Sequence, residues 1–157
     1  MTKKNLNLSP WIYNGKEVTD EDVDGYAGFI YLIEDTETGM KYIGRKYFTS
    51  IRKQKKSTST RRKRQESDWK SYYSSSLELK EIIETCENPE RFKRSILVLC
   101  KTEGDTNYME TKLLFHFNVL EDDNYLNGNI LGKYMKKPVA IMDAREYSNE
   151  YENLLLG

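Results

Sequence analysis

A continuous apolar run, Phe29-Ile30-Tyr31-Leu32-Ile33, is followed by the turn-forming residues Asp35 to Gly39 and by a second extended segment, Met40-Lys41-Tyr42-Ile43-Gly44. This pattern predicts a β-hairpin. The 25 residues before it read as a small irregular cap. Trp11-Ile12-Tyr13 leads into an Asn14-Gly15 turn, and Thr19-Asp20-Glu21-Asp22 resembles a capped helical start. From Thr49 to Ser67 apolar residues almost vanish, which predicts a loop entered by a helical turn. Ser75-Ser76-Leu77-Glu78 then has capping-box spacing. Leu79, Ile82, Ile83 and Cys86 fall on one stripe with Glu78, Lys80, Glu81 and Glu84 turned away, so an amphipathic helix should run to Asn88-Pro89. Phe92 to Cys100 alternates and then becomes apolar through Ile96-Leu97-Val98-Leu99, a third strand, and a second helix is expected over Thr106 to Asn118. The order β-β-α-β-α predicts an α+β fold, a small antiparallel-containing sheet flanked by helices.

At 157 residues the chain suits one domain with its own core, and no stretch approaches the roughly 20 consecutive apolar residues that a membrane-spanning helix needs. The start, Met1-Thr2-Lys3-Lys4, has no apolar run behind it, so a soluble, cytoplasmic product without a secretory signal is expected. Cys86 and Cys100 lack CxxC spacing and read as reduced packing residues. His116 is the single histidine, which removes paired-histidine zinc sites and leaves carboxylates and water as metal ligands. A hard cation, Mg²⁺ or Mn²⁺, fits that set.

The formal net charge is zero, but its distribution is uneven. Eleven Lys or Arg and no acid lie between Lys41 and Gln65, so the rest of the chain sets 14 basic residues against all 25 acidic ones. A +11 segment is therefore embedded in a chain that otherwise sums to −11. A smaller basic spot at Lys133, Lys136 and Lys137 precedes an acidic tail from Asp143 to Glu152. Charge runs are usually just solvated, and Lys55 to Arg64 could pass for a nuclear-localisation signal.

Two placements carry chemistry. On the second predicted helix, Met109, Leu113, Leu114 and Phe117 span one face, and Glu110 falls within that arc. A helical Glu is ordinarily a solvated charge, because unpaired burial is costly. One on the core side wants an arginine or a metal. On the hairpin, Tyr31 and Tyr42 sit on opposite strands and can meet on the same face, although 12 tyrosines in one small chain make ordinary sheet packing the default.

These residues resemble a family. Phe29-Ile30-Tyr31, then Tyr42-Ile43-Gly44, an arginine ten positions beyond Tyr42 (Arg52), and Glu110 on the helix after the third strand look like the GIY-YIG nuclease superfamily. Ser67-Asp68-Trp69-Lys70-Ser71-Tyr72-Tyr73-Ser74-Ser75-Ser76, Phe92-Lys93-Arg94-Ser95-Ile96-Leu97 and Tyr125-Leu126-Asn127 resemble its phage-encoded members, as does Trp11-Ile12-Tyr13-Asn14-Gly15-Lys16. Two positions depart from the pattern: Phe29 replaces the first Gly of the family name, and Ser74 stands where similar phage sequences carry Gly. The expected organisation is an N-terminal cap over 1–27, a nuclease-like domain over 28–128 with a basic loop at 49–67, and a C-terminal extension over 129–157.

The resemblance implies a metal-dependent DNA endonuclease. Glu110 would be the one protein ligand of the divalent ion, and Arg52 would grip the scissile phosphate. Tyr31 would be the general base, with Tyr42 hydrogen-bonded nearby and able to exchange roles. A free phenol has a pKa of about 10, so Arg45, Arg52 and the metal would have to lower it. Tyr73 is either a second tyrosine near the attacking water or an ordinary hydrogen-bonding residue, and Asn127 anchors the back of the site. Lys46, Lys53, Lys55, Lys56, Arg61, Arg62, Lys63 and Arg64 would hold the DNA backbone through counterion release, without reading bases. No separate DNA-reading module is visible, so specificity would be low, structure-directed or supplied by a second copy or another protein. Branched-DNA cleavage and homing activity both fit, and the host cytoplasm is the expected location. The rival reading is a non-catalytic nucleic-acid-binding module of the same fold, and a third, weaker one is a structural phage protein.

Overall fold

The computed structural model describes residues 6–53, 62–136 and 146–157, with the backbone alone at 51–53 and 62–64. The chain opens with β1 (Trp11–Tyr13) and β2 (Lys16–Glu17). They are joined by Asn14 and Gly15 at φ 51° and 79°, the positive values that both central residues of a tight hairpin turn require. A short helix, α1 (Asp20–Val23), is closed by a reciprocal capping box between Thr19 and Asp22. The predicted hairpin is β3 (Gly28–Asp35) and β4 (Lys41–Tyr47). After it come β5 (Thr49–Lys53), β6 (Arg62–Glu66), α2 (Leu77–Thr85), β7 (Phe92–Cys100) and α3 (Glu103–His116). The small strands β8 (Asn129–Ile130) and β9 (Tyr134–Met135) and a final helix, α4 (Asn149–Leu156), complete the described elements. None of the described helices is long and apolar enough to cross a membrane.

The main sheet has the order β2-β1-β7-β3-β4, with β1 parallel to β7 and the other pairs antiparallel. It is the α+β architecture that the element order predicts. The central strand β3 explains its own unbroken apolar run, because both of its faces are covered. Phe29, Tyr31 and Ile33 join Trp11, Phe48, Trp69, Leu79 and Ile83 on one side. Ile30 joins Ile43, Cys100, Leu114, Val119 and Leu120 on the other, where α3 packs.

Four sequence expectations are corrected. The opening segment is not an irregular cap, because β1 is a member of the main sheet and Trp11 is buried in the core. Three residues show no readable period, and their partner strand lies some eighty residues downstream. The basic segment is not a loop at its ends. β5 and β6 pair antiparallel from Thr49↔Glu66 to Lys53↔Arg62. Backbone pairing needs no apolar side chains, so periodicity could not report it. Of the predicted phosphate-binding residues, Lys55, Lys56 and Arg61 lie outside the described residues, whereas Lys53, Arg62, Lys63 and Arg64 are placed on this ribbon by backbone only. The cap of α2 is Ser76, one residue later than the capping-box spacing suggests, and Leu79 at its third position cannot return the bond. Finally, Phe117 leaves the expected apolar stripe and is exposed, because α3 ends at His116 and Asn118 turns the chain at φ 52°.

Candidate active site

β4 is the outer strand of the main sheet, and the site is built across its edge. Strand alternation puts Tyr42, Gly44 and Lys46 on the face of Tyr31, and Ile43, Arg45 and Tyr47 on the face of α3. The first half of this edge is closed. Lys41 N–H donates to Asn124 O and Leu126 N–H to Lys41 O, each at 2.8 Å. Asn127 then continues the pairing with its side chain, accepting from Ile43 N–H at 3.1 Å and donating to Ile43 O at 2.8 Å. Beyond Ile43 the edge opens into a cleft of about 460 Å³. Arg45, Tyr47, Glu103 and Glu110 wall one side, Lys46, Tyr72 and Ser75 the other, and Thr49, Ser50 and Ser67 close the end towards the basic ribbon.

Three tyrosines gather on the Tyr31 face. Tyr31 is 0 % exposed, and its ring crosses Gly44 so closely that a Cβ there would lie 2.5 Å from Tyr31 Cζ. The glycine of Tyr42-Ile43-Gly44 is thus a packing requirement of the first tyrosine. The rings of Tyr31 and Tyr42 stand 6.3 Å apart, and Tyr42 Oη is 3.1 Å from Ser75 Oγ. Tyr72 meets Tyr31 edge-on at 5.7 Å and 78°, with the two hydroxyl oxygens 3.4 Å apart. Burial, with the neighbouring Tyr72 and Tyr42 oxygens, pushes the Tyr31 phenol well above its usual pKa of 10.0. Burial also raises Tyr42, a bond from Ser75 pulls it back, and the charges of Tyr72 and Glu110 add to the rise.

Tyr31, the expected general base, lies wholly inside the core and is not among the residues lining the cleft, and a base has to reach the water it deprotonates. Tyr73 does not line the cleft either. Its hydroxyl donates to Glu84 Oε1 on α2, and burial together with that carboxylate raises its pKa to about 12. The tyrosine brought to Tyr31 is Tyr72. Neighbours in an irregular segment cannot be told apart by periodicity. Ser74, the departure from the phage pattern, is fully buried and accepts from Ser76 N–H at 2.8 Å, so its hydroxyl supports the turn into α2.

On the other side, Glu110 projects from α3 with Arg45 Nη1 3.4 Å from its Oε1. Burial lifts the Glu110 carboxyl above its ordinary 4.5, with Arg45 opposing that rise in part. Tyr47 donates to Asn107, which ties β4 to α3 one turn before Glu110. Lys46 Nζ is 2.6 Å from Asp68 Oδ1 and 4.2 Å from the centre of the Tyr72 ring. Arg52 lies on β5 opposite Lys63, two residues beyond the cleft-lining Ser50, and its side chain lies outside the described set.

Arg94 is a positioning residue that the sequence reading missed. It is buried and donates to the carbonyls of Ser9 (2.7 Å), Lys70 (3.0 Å) and Tyr72 (2.8 Å). Burial lowers its pKa to about 10. The signal was present: Phe92 and Arg94 are alternate residues of one strand, so an inward Phe implies an inward Arg. Lys136 likewise donates to the carbonyls of Val119, Asp122 and Tyr125, so part of the second basic spot serves the fold.

Among the described residues there is no group of three or more His, Cys, Asp or Glu. A tight all-protein metal cage is therefore not built from them. One half-buried carboxylate, held at a long 3.4 Å from its arginine and facing an open cleft, does fit a Mg²⁺-like ion that keeps most of its waters.

Paired tyrosines on a hairpin, a carboxylate on the helix after the third strand, and an asparagine locking the second tyrosine strand define the nuclease domain of the GIY-YIG type. The model of the family described as "Putative endonuclease segE, GIY-YIG domain" matches residues 11–130, and the chain belongs to this family. Nucleases of this class generally use divalent metals. The matched stretch takes in β1 and β2 as well as the tyrosine hairpin. Comparison with curated proteins and with solved structures gives no match.

Proposed function

We propose that this chain is a phage-encoded, divalent-metal-dependent DNA endonuclease that hydrolyses phosphodiester bonds with low or structure-directed specificity. The observation that carries this reading is the cleft at the β4 edge, where Glu110, Arg45, Lys46 and Tyr72 converge at the foot of the basic ribbon. The ribbon adds a second argument. Its register sets Arg52 opposite Lys63 and Lys53 opposite Arg62, which brings four basic positions onto one short pair of strands. A phosphate backbone is the partner such a ribbon would take.

Glu110 would hold the ion, which when bound supplies positive charge for the leaving 3′-oxygen. Arg52 and Arg45 would grip the scissile phosphate and offset the charge that builds on it. Tyr42, half-buried beside Ser75, takes the role of base. Water attacks phosphorus as its proton passes to the Tyr42 phenolate, and the bond from phosphorus to the 3′-oxygen breaks. Burial is the main cause that raises the Tyr42 phenol, so its ionisation would need the positive charge of Arg45, Arg52 and an ion at Glu110 together. Tyr31 supports this arrangement from behind, and Asn127 keeps Ile43, and with it Tyr42, in register.

Supercoiled plasmid incubated with Mg²⁺ or Mn²⁺ tests the reading. Wild type should nick it, while Glu110→Ala and Arg52→Ala should lose at least about 100-fold in rate. A wild type that binds plasmid and never nicks it would instead establish the non-catalytic binding module. Glu110→Ala nicking at the wild-type rate would remove the metal assignment.

A further inference from the structure

Of the three phenols gathered at β4, Tyr31 is sealed in the core and Tyr42 lies beside Ser75, whereas Tyr72 forms the cleft wall itself, together with Lys46 and across from Arg45 and Glu110. We propose that Tyr72 is a further catalytic residue of this site, its hydroxyl donating a hydrogen bond to a non-bridging oxygen of the scissile phosphate between Arg45 and Lys46. This inference rests on the endonuclease reading above and assigns a role that neither the tyrosine pair nor Glu110 fills.

Three features fix the group for that task. The backbone of Tyr72 is clamped, since its carbonyl accepts from the buried Arg94 at 2.8 Å and its N–H donates to Trp69 O at 3.3 Å. The ring is confined by Tyr31 on its edge and by the Lys46 ammonium 4.2 Å from its centre, so little rotamer freedom is left to lose when substrate arrives. The hydroxyl is held near the cleft as well. Its oxygen lies 3.4 Å from Tyr31 Oη, a long contact in which either group can donate and beside which Tyr31 also has Ser75. The Tyr72 hydroxyl can therefore turn its hydrogen to the cleft, where Arg45 and Lys46 draw a phosphate. No covalent bond changes at Tyr72. It acts as a preorganised donor to charge that grows in the transition state, a contribution worth about 100-fold or more in rate when one such donor is removed.

The test uses the full-length chain, single-turnover nicking of supercoiled plasmid with Mn²⁺, plasmid binding in EDTA, and thermal unfolding. Tyr72→Phe keeps the ring and removes one oxygen. It should nick about 100-fold more slowly than wild type, while its plasmid affinity stays at the wild-type value and its melting temperature falls by no more than about 4 °C, the effect of losing one long hydrogen bond to Tyr31. Tyr73→Phe should nick at the wild-type rate. The proposal is overturned if Tyr72→Phe nicks as fast as wild type, if its rate falls only in proportion to its affinity, or if it melts more than about 4 °C below wild type, which would mark the hydroxyl as structural. A wild type that binds and never nicks removes the endonuclease reading, and this inference with it. Nicking by wild type with no effect of Tyr72→Phe removes this inference alone.

Discussion

Glu110 is a carboxylate held partly out of water, and that decides how the site responds to pH. Its folded pKa is raised above 4.5, so the folded protein holds this proton more readily than the unfolded chain does. The associated stability is present below 4.5 and is lost as pH rises through the folded value. At neutral pH the ionised carboxylate therefore adds nothing to stability, and Glu110→Gln should unfold at the same or a slightly higher temperature while losing nicking. The same shift makes protons compete with metal earlier than at an ordinary carboxylate. The Mg²⁺ concentration that half-saturates nicking should climb on acidification while the pH is still above 4.5, and a flat profile down to 4.5 would contradict the assignment. Both the presence of Glu110 on the α3 side and the proximity of Tyr31 to Tyr42 could be read from spacing. That Tyr31 is sealed, and that Tyr72 rather than Tyr73 faces the cleft, could not. Burial depends on what packs over a strand, and the cover over Tyr31 comes from Trp11 and Tyr72, both remote in sequence.

Asn127 shows an element completed by one side chain. Asn127→Ala leaves the N–H and C=O of Ile43 without partners in a buried place, which should cost about 2–4 kcal/mol in urea unfolding. Nicking should fall with it as the Tyr42 strand loses its lock. The β3–β4 turn makes a different prediction. Burial raises the Asp35 carboxyl, but bonds from Glu37 N–H and the Thr38 hydroxyl, with the Arg91 charge, outweigh it and hold its pKa below 3.8. Its contribution is therefore present above 3.8 and lost as pH falls through the folded value. Asp35→Asn should be less stable than wild type at pH 6, and the gap should close below pH 3.8. At this scale β3, β4, α2, β7 and α3 were legible because their apolar periods are long. β1, β5 and β6 were not, since a three-residue strand and a polar ribbon are specified by backbone partners and not by a hydrophobic stripe.

Over the whole molecule the zero net charge resolves into a basic ribbon leaving the cleft and an acidic remainder. DNA should therefore bind through counterion release, with affinity falling steeply as salt rises. Replacing Lys53 and Arg62 together by Gln should lower the slope of log affinity against log salt by about two. An unchanged salt slope would contradict the ribbon's role. By itself the sequence determined the α+β order, the tyrosine hairpin, the core-side glutamate and the charge asymmetry, because each is written in local spacing. The tertiary structure alone decided which tyrosine lines the cleft, which arginine clamps backbone and where the cleft opens. Those depend on Asn127 closing one half of the β4 edge, on Arg94 gathering three distant carbonyls, and on a core that seals one tyrosine while leaving another at the surface.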